Sequence, residues 1–435
     1  MRARLIPILV MFWLLASCGS EEGFFSTLTT GTTALPPATT TVPSTTTTAP
    51  AETTTTTAAP VTEWDWTRLD DTVFGMEADR YQVVSSLAVG GPGLVAVGGD
   101  EVEGDLDAAV WTSPDGLAWS RVAHDEGVFG GPSTQFMRAV APAGPGLVAV
   151  GGDIPGDDVD VAVWVSPDGL AWSRVAQDQE GLGGPDDQLA TAMAPAGPGL
   201  VAAGWEGPGE DSDAAVWTSP DGLAWSRVPH DEALFGGPGI QEIDGLAVID
   251  GLVVAVGSDE SGADGSAAVW TSPDGLSWSR VPHDEATFGG PGNQVMLAVA
   301  AGGPGLVAVG LEGASDRAVA AVWTSPDGLA WSRVPHDESV FGAAERQIME
   351  GVVAAGGGLV AFGWQAQDEE MDTAVWVSAD GLAWSRSALL SAALGGPGDQ
   401  MMLYAIEAGP GLVVVGEQHG SGGSDGAVWV ATPAG

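Results

Sequence analysis

Tryptophan recurs in this chain at a fixed interval of 53 residues. One series of seven has no slip: Trp111, Trp164, Trp217, Trp270, Trp323, Trp376 and Trp429. A second series keeps the same step: Trp66, Trp119, Trp172, Trp225, Trp278, Trp331 and Trp384. Seven glutamines do the same: Gln82, Gln135, Gln188, Gln241, Gln294, Gln347 and Gln400. A period of about 50 residues indicates supersecondary units that stack to bury their apolar faces.

Each repeat has the pattern of four short strands. In the unit that begins at Gln135, apolar stretches cover 136–141, 147–150 and 161–165, and an alternating stretch covers 170–175. Val, Trp and Ala fill these stretches while Gly, Pro and Asp separate them, which is typical of strands and turns. No window offers helical spacing bounded by caps. The sequence therefore predicts an all-β chain.

The two ends of the repeat region decide between a closed ring and an open solenoid. Residues 430–435 stop where every other unit makes a turn, and the missing fourth strand appears at 64–69. A ring uses that split, because the N-terminal strand completes the last blade and covers an exposed strand edge. We therefore expect residues 63–435 to form a seven-bladed β-propeller with four antiparallel strands per blade.

The N-terminal segment does not share the repeat. Arg2 and Arg4 precede an apolar stretch at 5–15, and small residues precede Cys18, the only cysteine. This arrangement predicts a signal peptide at 1–17. The residues around Cys18 resemble the lipobox of bacterial lipoproteins, and this resemblance implies lipidation of Cys18.

Residues 18–62 are rich in threonine and proline. Such a composition cannot form a core and predicts a disordered stalk. Two or more acyl chains anchor a protein stably to a membrane. We therefore expect an extracytoplasmic protein that is lipid-anchored to the cell envelope.

The chain is strongly acidic, with a formal net charge of −45 and no lysine. This charge argues against binding nucleic acid or an anionic membrane surface, since both need a basic footprint. It permits cationic partners or divalent ions. We expect a monomer that meets the membrane only through its lipid anchor, with an envelope protein or glycan of unknown identity as its partner.

Six repeats carry a Ser-Pro-Asp-Gly turn, or Ser-Ala-Asp-Gly in the sixth, followed three residues later by tryptophan. The motif resembles the Asp-box (BNR) hairpin of sialidase-like propellers and is one residue shorter. The aspartate accepts hydrogen bonds from turn amides and the glycine supplies an unusual backbone angle. We predict a structural role for the six aspartates: Asp115, Asp168, Asp221, Asp274, Asp327 and Asp380.

The resemblance also raises the alternative of a sialidase-like glycoside hydrolase. It implies an arginine triad, a tyrosine nucleophile with a glutamate, and an acid/base aspartate. The chain has only two tyrosines, Tyr81 and Tyr404, and no Arg-Ile-Pro motif after the predicted signal. Seven of its arginines are periodic, which predicts a structural role: Arg68, Arg121, Arg174, Arg227, Arg280, Arg333 and Arg386. No catalytic residue is assigned.

Two residue sets raise the question of metal binding. Four histidines share one blade position, which we expect near the rim: His124, His230, His283 and His336. Copies in neighbouring blades would be too far apart to share one ion. We expect these histidines to cap loops. Acidic loops offer hard oxygen ligands for calcium, although their spacing matches no known calcium loop: Asp157, Asp158, Asp160, Asp211 and Asp213. We expect no cofactor, with calcium as the alternative.

One position does not repeat. Three residues after each glutamine stand Ser85, Arg138, Thr191, Asp244, Leu297, Glu350 and Leu403. This position either faces the channel or has drifted at a solvated site. The candidate channel and binding residues are Arg138, Asp244, Glu350 and Tyr404.

The long connections, such as 124–132, are acidic and the most variable part of the repeat. Binding residues are often found on variable loops of a rigid scaffold. The leading functional prediction is therefore a non-catalytic binding or scaffold module that uses this acidic loop face.

Overall fold

The computed structural model describes residues 63–434 except for short gaps. These gaps are 71–72, 75–80, 103, 145, 157, 210, 315–316, 343–345, 368–369, 388–393, 395–397 and 421–422. The predicted signal peptide, Cys18 and the stalk lie outside the described residues. In the described part, no helix is long and apolar enough to cross a membrane.

The described residues form seven four-stranded antiparallel sheets, which we number as blades one to seven. Blade one contains β2 (Gln82–Gly90), β3 (Gly93–Val102), β4 (Asp105–Ser113) and β5 (Ser120–Arg121). Blade two contains β6 (Gln135–Ala143), β7 (Gly146–Asp153), β8 (Asp160–Ser166) and β9 (Ser173–Arg174). Blade three contains β10 (Asp187–Ala196), β11 (Gly199–Gly207), β12 (Asp213–Ser219) and β13 (Ser226–Arg227). Blade four contains β14 (Gln241–Ile249), β15 (Leu252–Asp259), β16 (Ser266–Ser272) and β17 (Ser279–Arg280).

The remaining three blades follow the same order. Blade five contains β18 (Asn293–Gly302), β19 (Gly305–Gly313), β20 (Val319–Ser325) and β21 (Ser332–Arg333). Blade six contains β22 (Gln347–Ala355), β23 (Gly358–Gln367), β24 (Glu370–Ser378) and β25 (Trp384–Arg386). Blade seven contains β26 (Asp399–Ala408), β27 (Gly411–Gly420), β28 (Gly423–Pro433) and, as its outer strand, β1 (Trp64–Arg68).

The ring closes as the sequence predicts. Strand β1 pairs antiparallel with β28, with Trp64 opposite Pro433 and Arg68 opposite Trp429. Each inner strand contacts the inner strands of both neighbouring blades, and β2 contacts β26 across the closure. The prediction of a seven-bladed propeller completed by the N-terminal strand is confirmed.

Two single helical turns with described bounds lie in connections between the blades. They are α1 (Glu285–Phe288) and α2 (Glu338–Phe341), in the connections that leave blades four and five. Asp284 and Asp337 cap them by accepting hydrogen bonds from backbone N–H groups. The same aspartate position accepts from Gly127 N in the blade-one connection, through Asp125 Oδ1 at 2.9 Å. The residue that caps these loops is thus the aspartate beside each histidine.

The core is divided into clusters that each lie between two adjacent blades. Trp164 of β8 is fully buried against Val95 and Val97 of blade one and Met137 of its own blade. Its indole Nε1 donates to the carbonyl oxygen of Val128 at 2.7 Å, in the connection that enters the blade. The periodic tryptophans therefore join neighbouring blades by apolar burial and also fix the connections between them.

The periodic arginines hold the short outer strands. Arg121 of β5 forms an ion pair with Asp100 at 3.0 Å, which joins the outer strand to the end of β3. Arg280 of β17 lies 5.3 Å from the ring centre of Trp270, within cation–π range. These arginines are occupied within their own blades and do not face the channel.

The Asp-box aspartates organise the turns between the third and fourth strands. Asp115 Oδ1 accepts hydrogen bonds from Leu117 N at 2.9 Å and Ala118 N at 3.2 Å. Gly116 has a φ of 80°, which a residue with a side chain rarely adopts, and Trp119 Nε1 donates to its carbonyl oxygen at 3.1 Å. The turn hydrogen bonds lower the pKa of Asp115 below its ordinary value. The aspartate is therefore bound by its own turn.

A disulfide across the closure tests the ring. Asp65 and Thr432 are exposed partners in the β1–β28 register, so Asp65→Cys with Thr432→Cys places two thiols at a separation that a disulfide spans. We expect the bond to form on mild oxidation and to stabilise the protein by about 2–4 kcal/mol. Peptide mapping and thermal melts of the oxidised and reduced protein measure both effects.

The matched control pairs Asp65→Cys with Ser173→Cys, an exposed residue on the outer strand of blade two. This pair stays reduced in a closed ring. Equal cross-linking in both variants, or none in either, contradicts the closure described above.

Candidate functional site

Every inner strand has a β-bulge at the same place. The pairing skips one residue between Met137 and Ala139 in β6 and between Ile243 and Gly245 in β14. The other five inner strands show the same skip. The bulged residues are the seven at the non-repeating position: Ser85, Arg138, Thr191, Asp244, Leu297, Glu350 and Leu403. All seven are partly exposed, and a bulge re-aims its side chain out of the regular pleat.

Arg138 has ionisable neighbours on four other blades. The pKa of Arg138 is lowered by burial, and four ionisable groups on other blades oppose that shift. They are Glu417 of blade seven, Tyr81 of blade one, Asp244 of blade four and Glu350 of blade six. The inner strands of a propeller surround its central channel. These neighbours on four other blades therefore favour the prediction that this position faces the channel.

Blade four contributes an acidic pair. Burial, and then the charge of Glu260, raises the pKa of Glu242 to about 7. Burial also raises the pKa of Asp244 well above its ordinary value, with Glu242 and Glu350 adding to the effect. Asp244 Oδ2 is buried without a hydrogen-bond partner among the described residues. Blade four therefore presents a carboxyl group whose hydrogen-bonding capacity is unused.

Blade six contributes Glu350. The indole Nε1 of Trp364 donates to Glu350 Oε1 at 2.8 Å. Burial nevertheless outweighs this hydrogen bond and the charge of Arg138, and it raises the pKa of Glu350 to about 7. Arg346 lies 5.0 Å from the ring centre of Trp364. The carboxyl group of Glu350 is held on one side and open to the channel on the other.

Blades seven and one meet at Glu417. Ser424 Oγ donates to Glu417 Oε2 at 3.1 Å, and His419 Nε2 lies 3.3 Å from Oε1. The hydrogen bond with Glu417 raises the pKa of His419. Burial, and then the charge of Glu417, raises the pKa of Tyr81. We call Tyr81, Arg138, Glu242, Asp244, Glu350 and Glu417 the channel-mouth cluster.

The cluster lies at the end of the channel nearest the loop face, the end at which the long connections enter the inner strands. Tyr81 directly precedes β2, and Glu242 is the second residue of β14. Glu417 stands opposite Met401, the third residue of β26. The two regions that the sequence marks separately, the acidic loop face and the channel position, are therefore adjacent.

Tyr404 is placed differently from the other candidates. It follows the bulged residue of β26, is 40% exposed, and has its pKa raised by burial within the ring. The other blades carry a small residue at this position: Ser86, Ala139, Ala192, Gly245, Ala298 and Gly351. Tyr404 is thus the large side chain in a ring of small ones, next to the cluster but without a described charge contact to it.

Sequence reasoning missed Glu242, Glu417 and the channel role of Tyr81. The signal for Glu417 is a second position that does not repeat, on the second strand of each blade: Gly99, Gly152, Trp205, Ser258, Leu311, Trp364 and Glu417. In the structure this position pairs with the inner strand beside the bulge. The two positions whose residue type differs between the repeats therefore lie near each other, at the bulge of the inner strand.

The calcium candidates do not form one oxygen cage among the described residues. Asp157 lies outside them and Asp158 is exposed. Asp160 is buried in β8, with Gln179 Nε2 donating to it at 3.4 Å. Asp211 accepts from Gly239 N at 3.0 Å, and Asp213 faces His230 at 3.7 Å. Asp160, Asp211 and Asp213 are therefore each in contact with a different residue and not with one another's oxygens.

No protein-family model matches this sequence, and no curated protein matches it either. Solved structures similar to it include a protein of unknown function from Dyadobacter fermentans DSM 18053, with a TM-score of 0.47, 15% identity, and coverage of 85% of this chain and 98% of that one. Sqt1 from Chaetomium thermophilum has a TM-score of 0.44 and 15% identity, covering 78% and 83%. Trypanosoma rangeli sialidase, in complex with the inhibitor DANA, has a TM-score of 0.43 and 11% identity, covering 81% and 55%. These are likenesses of overall fold.

The pKa of Glu350 predicts a pH dependence of stability. Because folding raises this pKa from 4.5 to about 7, the folded state binds more protons than the unfolded state between those values, and stability falls as pH rises through them. Glu350→Gln keeps an acceptor for Trp364 and removes the ionisation. We expect the variant to match wild type at pH 4 and to exceed it by about 1–3 kcal/mol at pH 8.

Urea unfolding at both pH values measures the difference. Asp158→Asn, an exposed loop substitution, is the control and leaves the pH dependence unchanged. A Glu350→Gln variant that is less stable than wild type at pH 8 contradicts the burial of Glu350 in the channel.

Proposed function

We propose that the protein is a non-catalytic binding module whose ligand site is the channel-mouth cluster. One observation carries the proposal: ionisable side chains from five blades lie close enough for their charges to change the pKa of Arg138, Asp244 or Glu350. Strongly shifted pKa values that arise from burial plus specific charged neighbours are typical of functional sites. The tryptophans, glutamines and outer arginines repeat from blade to blade, whereas the residues of the channel-mouth cluster do not.

The chemistry of the cluster favours a ligand with a positive group. Three carboxyl groups, those of Glu417, Asp244 and Glu350, act on the guanidinium of Arg138. Asp244 also has a buried oxygen without a hydrogen-bond partner among the described residues. An ammonium group donates up to three hydrogen bonds and stabilises ionised carboxylates in a buried site. Arg138 would bind an anionic or carbonyl oxygen of the same ligand. We therefore propose an ammonium-bearing ligand, such as an amino sugar of a glycan or a peptide terminus.

The acidic loop face would assist binding rather than provide the site. A net charge of −45 attracts cations over roughly 10 Å at 0.1 M salt, the range of unscreened charge. A charged surface of this kind raises the rate of encounter. The channel mouth would then supply selectivity through its few fixed groups.

A glycoside hydrolase of the sialidase-like type is the second candidate. Glu350, with a pKa of about 7, would hold the proton that a general acid needs at neutral pH. Tyr81 lies near Glu417 and Arg138, a combination that the sialidase resemblance implies for a nucleophile. The cluster has only one arginine among its described members, where the resemblance implies three. The binding proposal is therefore the better supported one.

Binding of small amines tests the proposal. We expect D-glucosamine and L-lysine amide to bind in calorimetry, and neutral N-acetylglucosamine not to bind. The affinity for L-lysine amide should rise between pH 6 and pH 8, because Glu242 and Glu350 ionise near pH 7 while its ε-ammonium group stays charged. Asp244→Asn combined with Glu350→Gln should weaken binding at least about tenfold, the loss expected for charged hydrogen bonds.

The control is Asp158→Asn on the loop face, which keeps full affinity if the mouth is the site. Equal weakening by the control places the site on the loops. Turnover of aryl glycosides by wild type, lost in Glu350→Gln, would replace the binding function by the hydrolase.

Residues 1–62 bear on where this binding takes place. We propose that lipidation at Cys18 holds the domain at the cell envelope on a Thr/Pro-rich stalk, as the sequence predicts. Cell fractionation of Cys18→Ser should find the protein released or unprocessed, since the acyl chains provide the anchor. Unchanged membrane retention contradicts the anchor while leaving the binding site untouched.

A further inference from the structure

Two blades bring a histidine and two carboxylates together outside the channel. In blade one, His124 Nε2 lies 3.4 Å from Asp107 Oδ2 and 3.4 Å from Glu126 Oε2. Asp107 is on β4, whereas the other two residues are in the connection after β5. In blade three, two repeats later, His230 Nε2 lies 3.7 Å from Asp213 and 3.3 Å from Glu232. Within each triad all the ligand atoms lie within 4.8 Å of one another.

The spacing in blade one suits a shared metal ion better than direct hydrogen bonds. A charged N–H···O bond is about 2.7–2.9 Å long, so both His124 contacts are long for that purpose. Two ligands bound tetrahedrally at about 2.0–2.1 Å from one zinc ion lie roughly 3.3–3.4 Å apart. The two distances of 3.4 Å match the edge of such a tetrahedron.

Asp107 gives a second, independent indication. Its side chain is only 4% exposed, and its carboxylate points at His124 Nε2 across 3.4 Å. A buried carboxylate is costly unless a positive group is paired closely with it. A divalent ion between Asp107 and His124 would bind the carboxylate more closely than the imidazole does at 3.4 Å.

The other blades show what happens when one member of the triad changes. In blade two, Gln177 and Gln179 replace the histidine and the glutamate, and Gln179 Nε2 donates to Asp160 instead. Blade four keeps His283 and Glu285 but has Ser266 in place of the strand aspartate.

Blade five has Val319 at the strand position, and His336 Nε2 lies 2.9 Å from the carbonyl oxygen of Gly342. Among the described residues, the complete triad therefore occurs in blades one and three.

We propose that Asp107, His124 and Glu126 bind a divalent transition-metal ion of the zinc class, and that Asp213, His230 and Glu232 form a second such site. One imidazole nitrogen with two carboxylates suits zinc, whereas calcium and magnesium prefer oxygen alone. Two carboxylates and a neutral imidazole balance the charge of a divalent ion. Glu126 and Glu232 are 70% and 75% exposed, so the ions enter from solvent and keep a position open to water.

The bound ion would connect the third strand to the connection that leads into the next blade. The outer strand between these two elements, β5 or β13, is only two residues long. An ion that binds only the folded state raises its stability by mass action. We therefore assign these metal sites a structural, stabilising role at the rim, separate from the channel-mouth cluster.

Zinc titration of the full chain tests the proposal. Untagged protein in a Cys18→Ser background is stripped with chelator and titrated with zinc chloride in calorimetry, in the presence of excess magnesium. We expect two sites per chain and a rise in melting temperature. Asp107→Asn should reduce the count to one, and Asp107→Asn with Asp213→Asn should abolish binding. His124→Ala reports on blade one if the aspartate variant folds poorly.

The chain supplies its own controls. His283→Ala removes a histidine of the same loop type without a strand carboxylate, and two sites should remain. Ser266→Asp completes the triad of blade four and should add a third site. Unchanged stoichiometry in the double aspartate variant, loss of a site in His283→Ala, or displacement of zinc by magnesium overturns the proposal.

Discussion

The packing of seven fully buried tryptophans between adjacent blades is the interaction on which the rest of the structure depends. Each indole lies in an apolar cluster drawn from two blades, and five of them also donate a hydrogen bond to the connection entering their own blade. A four-stranded sheet cannot bury both faces alone. Each of the seven tryptophans is buried between two blades in the same way. Every repeat must therefore present the same surface to the next blade, and this requirement accounts for the fixed spacing of 53 residues.

Because this packing holds the blades together, the amino acid at one position of each inner strand can differ from blade to blade. The bulge in each inner strand takes one residue out of the pleat and turns it to the channel, so its identity matters little for blade packing. Arg138, Asp244 and Glu350 stand there without disturbing a core. The same division applies at the rim, where the Asp-box turns and outer arginines repeat while the members of the histidine triad change from blade to blade.

The period, the strand pattern and the split at 64–69 predict the fold because they are local or strictly repeating signals. The non-repeating position predicts three members of the channel-mouth cluster. The sequence does not predict Glu417 and Tyr81 as members of the cluster. Glu417 lies on the second strand of its blade and Tyr81 just before an inner strand. Their positions in the cluster therefore depend on the pairing register and on ring closure. The sequence also does not predict the contact between Asp107 and His124, because it joins β4 to a loop beyond β5. The pattern of a single strand cannot indicate which charged residues of different blades come close together.

The proposed function requires the channel mouth to bind the positive group of a ligand. A crystal structure of the protein grown with D-glucosamine would reveal this contact. We expect the ammonium nitrogen within about 2.7–3.2 Å of a carboxylate oxygen of Asp244 or Glu350, with Arg138 directed at an oxygen of the sugar. A mouth filled only by water, with the amine bound on the acidic loops, would contradict it.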